Sequence, residues 1–236
     1  MHHVVVERWS RGVGPLHSLD ARAKIGALLV FLIAISTTPA GSQIAFAAYA
    51  ALTLAAMAAS RLPLGGLLRR AALVLPFSAT FAVVTWWSGD PLRALALAEK
   101  SFLSGLAALL LIATTPFASV LAAFETVGAP RVVILVIQFL YRYLFVISEQ
   151  AQHMRLAAKS RHGAGSAGTM LFSASAGALG VLFARSWERA DGIYQAMLAR
   201  GFSGRFATSV HPHFHAADIA FFGAVLAACV GIRLAA

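Results

Sequence analysis

The sequence has little charge and little that carries catalysis. Of 236 residues, 12% are charged and 59% are hydrophobic, against about 25% charged in a soluble domain, whose surface must face water. That shortfall excludes a soluble enzyme and a disordered chain alike. A single cysteine, Cys229, excludes an intramolecular disulfide and any cysteine-cluster metal site. The only lysines are Lys24, Lys100 and Lys159, and none follows a Gly-x-x-x-x-Gly, so the chain lacks a phosphate-cradling loop for ATP. Acids are scarce as well: 9 Asp and Glu stand against 19 Lys and Arg, for a net charge of +10. Nucleic acid would account for a basic balance, but not beside this apolar content. A membrane protein with a basic cytoplasmic side accounts for both.

In place of charge there are long uncharged runs. Residues 25–60 form one, interrupted by the turn chemistry of Thr37-Thr38-Pro39-Ala40-Gly41-Ser42, which predicts two helices in a hairpin. Asp20 is the expected N-cap of the first, with Arg22 and Lys24 snorkelling back to the headgroups. A third run covers residues 71–89 and ends in Trp86-Trp87, a fourth covers 101–114, and a last covers 219–232. The first run starts too late, and is followed too closely by the second, to be a cleaved signal peptide. Bases collect in three places: Arg8, Arg11, Arg22 and Lys24; Arg61, Arg69 and Arg70; and the stretch from Glu125 to Arg205, with nine bases against four acids. The positive-inside rule then predicts a cytoplasmic N-terminus, four spans, a cytoplasmic block and a final span. The expected fold is an all-α integral membrane protein of about five transmembrane helices plus long cytoplasmic helices. Its parts would be 1–115 (four spans), 116–208 (cytoplasmic or interfacial helices) and 209–236 (the C-terminal span).

The middle part has its own character. Thr115-Pro116 predicts an N-cap with Pro at the first helical position, and Gly128 a stop. Pro130 opens a helix to about Arg161 that is apolar at first and later carries Arg142, Glu149, Arg155, Lys159 and Arg161. Residues 163–168 form a small-residue loop. A third helix, from about Thr169 to Arg200, turns amphipathic in its second half: Ala190, Ile193, Tyr194, Met197 and Leu198 share one face. Gly201 is the expected C′ residue.

The proposed spans hold no ionisable group at their cores, which argues against an ion-driven transporter. His211-Pro212-His213-Phe214-His215 reads as an interfacial loop rather than a metal site, because Pro212 and the missing fourth ligand leave the set undefined. No Ser/His/Asp set, paired carboxylates or His-Glu-x-x-His is present. Glu188 and Asp191, among Arg185 and Arg189, read as a surface charge network.

Leu19-Asp20-Ala21-Arg22-Ala23-Lys24, ahead of a first span, and Tyr141-Arg142-Tyr143-Leu144-Phe145 resemble the transmembrane T component of energy-coupling-factor (ECF) transporters. Arg185-Ser186-Trp187-Glu188-Arg189-Ala190, followed by Tyr194 to Phe202, is similar to the Q subunit of the cobalt/nickel branch (CbiQ-like). The resemblance covers nearly the whole chain. It implies a non-catalytic coupling subunit of the bacterial inner membrane, serving cobalt uptake before nickel. Its partners would be two ABC-type ATPases and a membrane-embedded S component that captures substrate. The chain would bind no cofactor itself, with ATP and Mg residing on the ATPases, and no nucleic acid. The family's two Ala-Arg-Gly-like docking motifs would fall at Ala199-Arg200-Gly201, a full match, and at Ser160-Arg161-His162, which keeps only the Arg. Arg142, Arg185, Glu188 and Arg189 would support the coupling helices. Other readings are a vitamin-importing T component and, from a different class, a stand-alone permease or channel.

Overall fold

The computed structural model describes Ser10, Gly12 and residues 14–162, 168–204 and 215–235. Among the described residues the chain is all-helical: α1 (Ala21–Thr37), α2 (Gln43–Ser60), α3 (Leu64–Ala71), a 3-10 turn (Ala72–Val74), α4 (Leu75–Trp87), α5 (Pro91–Thr114), α6 (Phe117–Thr126), α7 (Arg131–His162), α8 (Gly168–Ala199) and α9 (Ala216–Leu234). It divides into two compact units, residues 1–128 with 212–236, and residues 129–211. α6 therefore belongs with the first unit, where it packs on α1.

The first unit is a helix bundle around α1, α2, α5 and α9. Phe31, Ile35, Phe46, Tyr49, Leu103 and Cys229 form one buried cluster, with Tyr49 edge-on to Phe31 at 5.6 Å. Met57, Leu67, Leu106 and Leu110 form a second. Cys229 is thus a packing residue. α9 lies along α1, and the helices approach closely enough at Gly26 that an added Cβ would sit 3.0 Å from the Phe222 ring.

Helix ends follow local chemistry. Asp20 caps α1 by accepting the Arg22 N–H at 2.8 Å. Gly128, at φ +104°, ends the segment after α6, where a side chain would be strained. α5 starts ten residues before the uncharged run does, because Asp90-Pro91 supplies a helix start with Pro in the first turn. Arg93, Glu99 and Lys100 are consequently helical, and Arg93 pairs with Asp90 at 3.2 Å. The third uncharged run is not one straight helix. α3 and α4 meet at a 48° bend. Pro76 gives the reason: its ring excludes the carbonyl of Ala72, four residues back, and the 3-10 turn stands there.

Among the described residues four helices suffice by length and composition to cross a membrane (α2, α5, α7 up to Ser160, and α9), or five when the bent pair counts as one span. α7 qualifies because its charges gather in its second half. α1, at 17 residues, reaches ~26 Å. The chain is a multi-pass, all-α membrane protein.

Candidate functional site

Three ionisable groups of the bundle, Lys24, Lys100 and Asp218, are engaged by backbone. Lys24 does not snorkel: it is buried, and its Nζ donates to the Thr114 carbonyl at 3.1 Å and to Thr115 Oγ1 at 3.4 Å. Lys100 Nζ donates to the carbonyls of Ser36 and Thr38 at 2.9 and 2.7 Å. α1 and α5 thus lend each other a lysine across their C-termini, where the last carbonyls have no intrahelical partner and the dipole favours a cation. Asp218, 2% exposed, accepts the Asp20 N–H at 2.7 Å on one oxygen and the His215 N–H at 2.8 Å on the other. It ties the N-terminus of α9 to that of α1. Lys24 and Asp218 stand in the first turns of α1 and α9, outside the cores of the expected spans; the change is in α5, whose start at Pro91 brings Glu99 and Lys100 inside a helix long enough to span. Sequence reasoning missed Asp218, although an acid three residues after an N-cap and ahead of an apolar run is a helix-start signature.

The second unit is built from two 32-residue helices, α7 and α8. The first half of α7 and the second half of α8 line a common groove, and Arg189 Nη2 of α8 donates to Gln150 Oε1 of α7 at 3.4 Å. The helices therefore run antiparallel, as a hairpin. Among the described side chains of α8 the partly buried positions are Ala178, Leu182, Ser186, Arg189, Ile193 and Met197, a helical stripe.

Arg200 terminates α8 in a Schellman turn. The Phe202 N–H donates to the Met197 carbonyl at 3.0 Å and the Gly201 N–H to the Leu198 carbonyl at 2.9 Å, with Gly201 at φ +75°. Met197 and Phe202, the apolar pair that accompanies such turns, both line the groove. The result is an exposed Arg200 whose backbone is fixed by local hydrogen bonds. Gly201→Ala puts a Cβ into the left-handed region at a cost of about 1–2 kcal/mol. Amide exchange at Arg200, Gly201 and Phe202 is expected to accelerate about tenfold, with the rest of α8 unchanged.

The other expected site residues lie along the hairpin. Ser160, Arg161 and His162 form the last turn of α7, with Ser160 exposed and its Oγ donating to the Ala157 carbonyl at 2.9 Å. The side chains of Arg161 and His162 lie outside what is described. Ala199 is exposed beside Arg200. Arg142 is exposed, its guanidinium 5.9 Å from the Tyr143 ring centroid. Arg185 and Glu188 are exposed, while Arg189 is half-buried. The surface charge network expected around Glu188 and Asp191 does not form among the described residues: both side chains are exposed, and Arg189 turns to Gln150 of α7 instead. Arg185, Glu188 and Asp191 of α8 are exposed and face outward, able to meet another surface. His211 and His213 lie outside the described residues, His215 holds the N-cap position of α9, and no group of three potential metal ligands occurs among the described residues.

The hairpin places its two arginines apart. Arg161 ends α7 beside the short connection to Gly168, and Arg200 stands at the far end of α8, so roughly 48 Å of helix separates them.

Residues 12–212 match the model of a family described as CbiQ, cobalt transport protein. Two uncharacterized proteins of Methanocaldococcus jannaschii are also similar. One is 30% identical over 114 residues, 48% of this chain and 39% of its own length. The other is 31% identical over 105 residues, 44% of this chain and 38% of its own. The matched segment thus spans well under half of either relative. The family match, in contrast, runs through both helical units and ends beyond the Arg200 turn, and this chain belongs to the CbiQ cobalt transport protein family.

Proposed function

We propose that this chain is the transmembrane coupling subunit of an ATP-driven importer of the ECF type, with cobalt as the transported cation. In this reading two ATPases bind the ends of α7 and α8, and a separate membrane-embedded S component holds the metal. The chain is non-catalytic and sits in the cytoplasmic membrane with its N-terminus inside. The observation that carries the reading is the hairpin with one arginine at each end. A single docking arginine would suit one partner, whereas two, separated by the length of α8, suit a pair of ATPases that approach and part. Arg200 is the stronger anchor because its backbone is held by the Schellman turn. An exposed guanidinium offers a planar fork to a carboxylate, which a lysine does not. A stiff helix displaced at its tip then carries the movement of the ATPases along its length. Gly177 and Gly180 of α8 have nothing within 4 Å of where a Cβ would stand, which leaves a surface for close helix crossing by the S component.

The backbone engagement of Lys24, Lys100 and Asp218 also supports a coupling role over a permease, because these groups are spent on closing helix ends. The test is to purify the tagged chain from its native membrane and reconstitute what comes with it. Two ATPases, an S component and cobalt uptake that stops without ATP are expected. Uptake by the isolated chain in liposomes would overturn the proposal.

A further inference from the structure

The groove between α7 and α8 combines apolar walls with one unanswered charge. Its volume is about 590 Å³, within the range of small-molecule sites. Val136, Phe139 and Leu140 form one wall, and Ile193 and Met197 the other. Arg189 lines the same groove. Its Nη2 reaches Gln150, but its Nη1 has neither solvent contact nor a hydrogen-bond partner. A guanidinium held this way in apolar surroundings is costly until an anion meets it. No acidic residue lines the groove, and the nearest carboxylates in sequence, Glu188 and Asp191, are exposed and outside the lining. The anion must therefore come from outside the chain, attached to something apolar enough for these walls. α7 supplies the first wall from a segment long and apolar enough to cross a membrane, so acyl chains are its natural surroundings.

We propose that this groove binds one anionic phospholipid, its phosphate on Arg189 and an acyl chain along Val136, Leu140 and Met197. The groove shares Met197 and Phe202 with the turn that holds Arg200 but includes neither docking arginine, so retained lipid and ATPase recovery are separate readouts. The purified full-length chain is exchanged into phosphatidylglycerol or phosphatidylcholine of identical acyl chains, and retained lipid is counted by native mass spectrometry. The wild type is expected to retain one phosphatidylglycerol with about tenfold preference, the scale of a charge-assisted hydrogen bond. Arg189→Gln should bring the two lipids to parity and Arg189→Lys should keep most of the preference. Arg155→Gln, which removes an exposed charge outside the groove, should leave it intact. Parity in the wild type would overturn the proposal, as would an equal loss in Arg155→Gln. Displacement of the lipid by excess inorganic phosphate would overturn the acyl-chain assignment.

Discussion

Arg200→Glu is expected to leave the chain inserted in the membrane and to abolish both ATPase co-purification and metal uptake. The side chain is exposed and makes no contact on which the fold of α8 depends; the turn beneath it is closed by the backbone of Met197, Leu198, Gly201 and Phe202. Charge reversal therefore spares the hairpin and acts only on whatever the guanidinium meets. Against an acidic pocket it replaces two charge-assisted hydrogen bonds with repulsion, weakening association about 100-fold or more. Arg200→Lys separates charge from geometry. It keeps the cation but loses the fork, so partial recovery of ATPase is expected. Membrane-extracted complexes quantified for ATPase per chain give the readout, and normal recovery with Arg200→Glu would remove Arg200 from the docking surface. Arg161→Glu should weaken coupling as well, and wild-type uptake in that variant would show that the first motif lies elsewhere.

The parts of this arrangement that a sequence reading reaches are those governed by neighbours along the chain. The long helices expected over residues 130–161 and 169–200 appear as Arg131–His162 and Gly168–Ala199, because Pro at the start and Gly just past the end act within one turn. The same holds for Asp20 as N-cap and Gly201 as C′ residue. The break at residues 72–74 was legible in principle from Pro76, but an uninterrupted apolar run reads as one span when hydropathy alone is followed. What stays out of reach depends on distant partners. Lys24 meets a carbonyl 90 positions away, Lys100 one 62 positions away, and Asp218 an amide 198 positions away. A charge near the end of an apolar run looks alike whether it returns to the headgroups or closes another helix. The Arg189 groove is hidden for the same reason, since Gln150 meets Arg189, and Val136 faces Ile193 across the groove, only once the hairpin has closed.

Those distant contacts make Asp218 the residue whose loss should destabilise the bundle most. Its two oxygens accept two backbone N–H groups from different segments, Asp20 and His215, and it is 2% exposed. Asp218→Ala leaves both donors without an acceptor at about 1–3 kcal/mol each, and the first turn of α9 loses its favourable charge. Water cannot readily replace the carboxylate at so buried a position. The melting midpoint of the purified chain in detergent is expected to fall by ~10 °C. Asp218→Asn should fall about half as far, because one oxygen remains while the amide presents its NH₂ to the other donor. Lys24→Met removes a different set of bonds, those to Thr114 and Thr115 at the end of α5. Asp20 and Asp218 both attract the Lys24 charge, so the two sites are coupled. The double variant Lys24→Met/Asp218→Asn should therefore lose less than the sum of the single losses, by about 0.5–3 kcal/mol. Strict additivity would mean that the lysine acts only on the α5 carbonyl, and that the three helix ends meeting here are joined by backbone hydrogen bonds without help from charge.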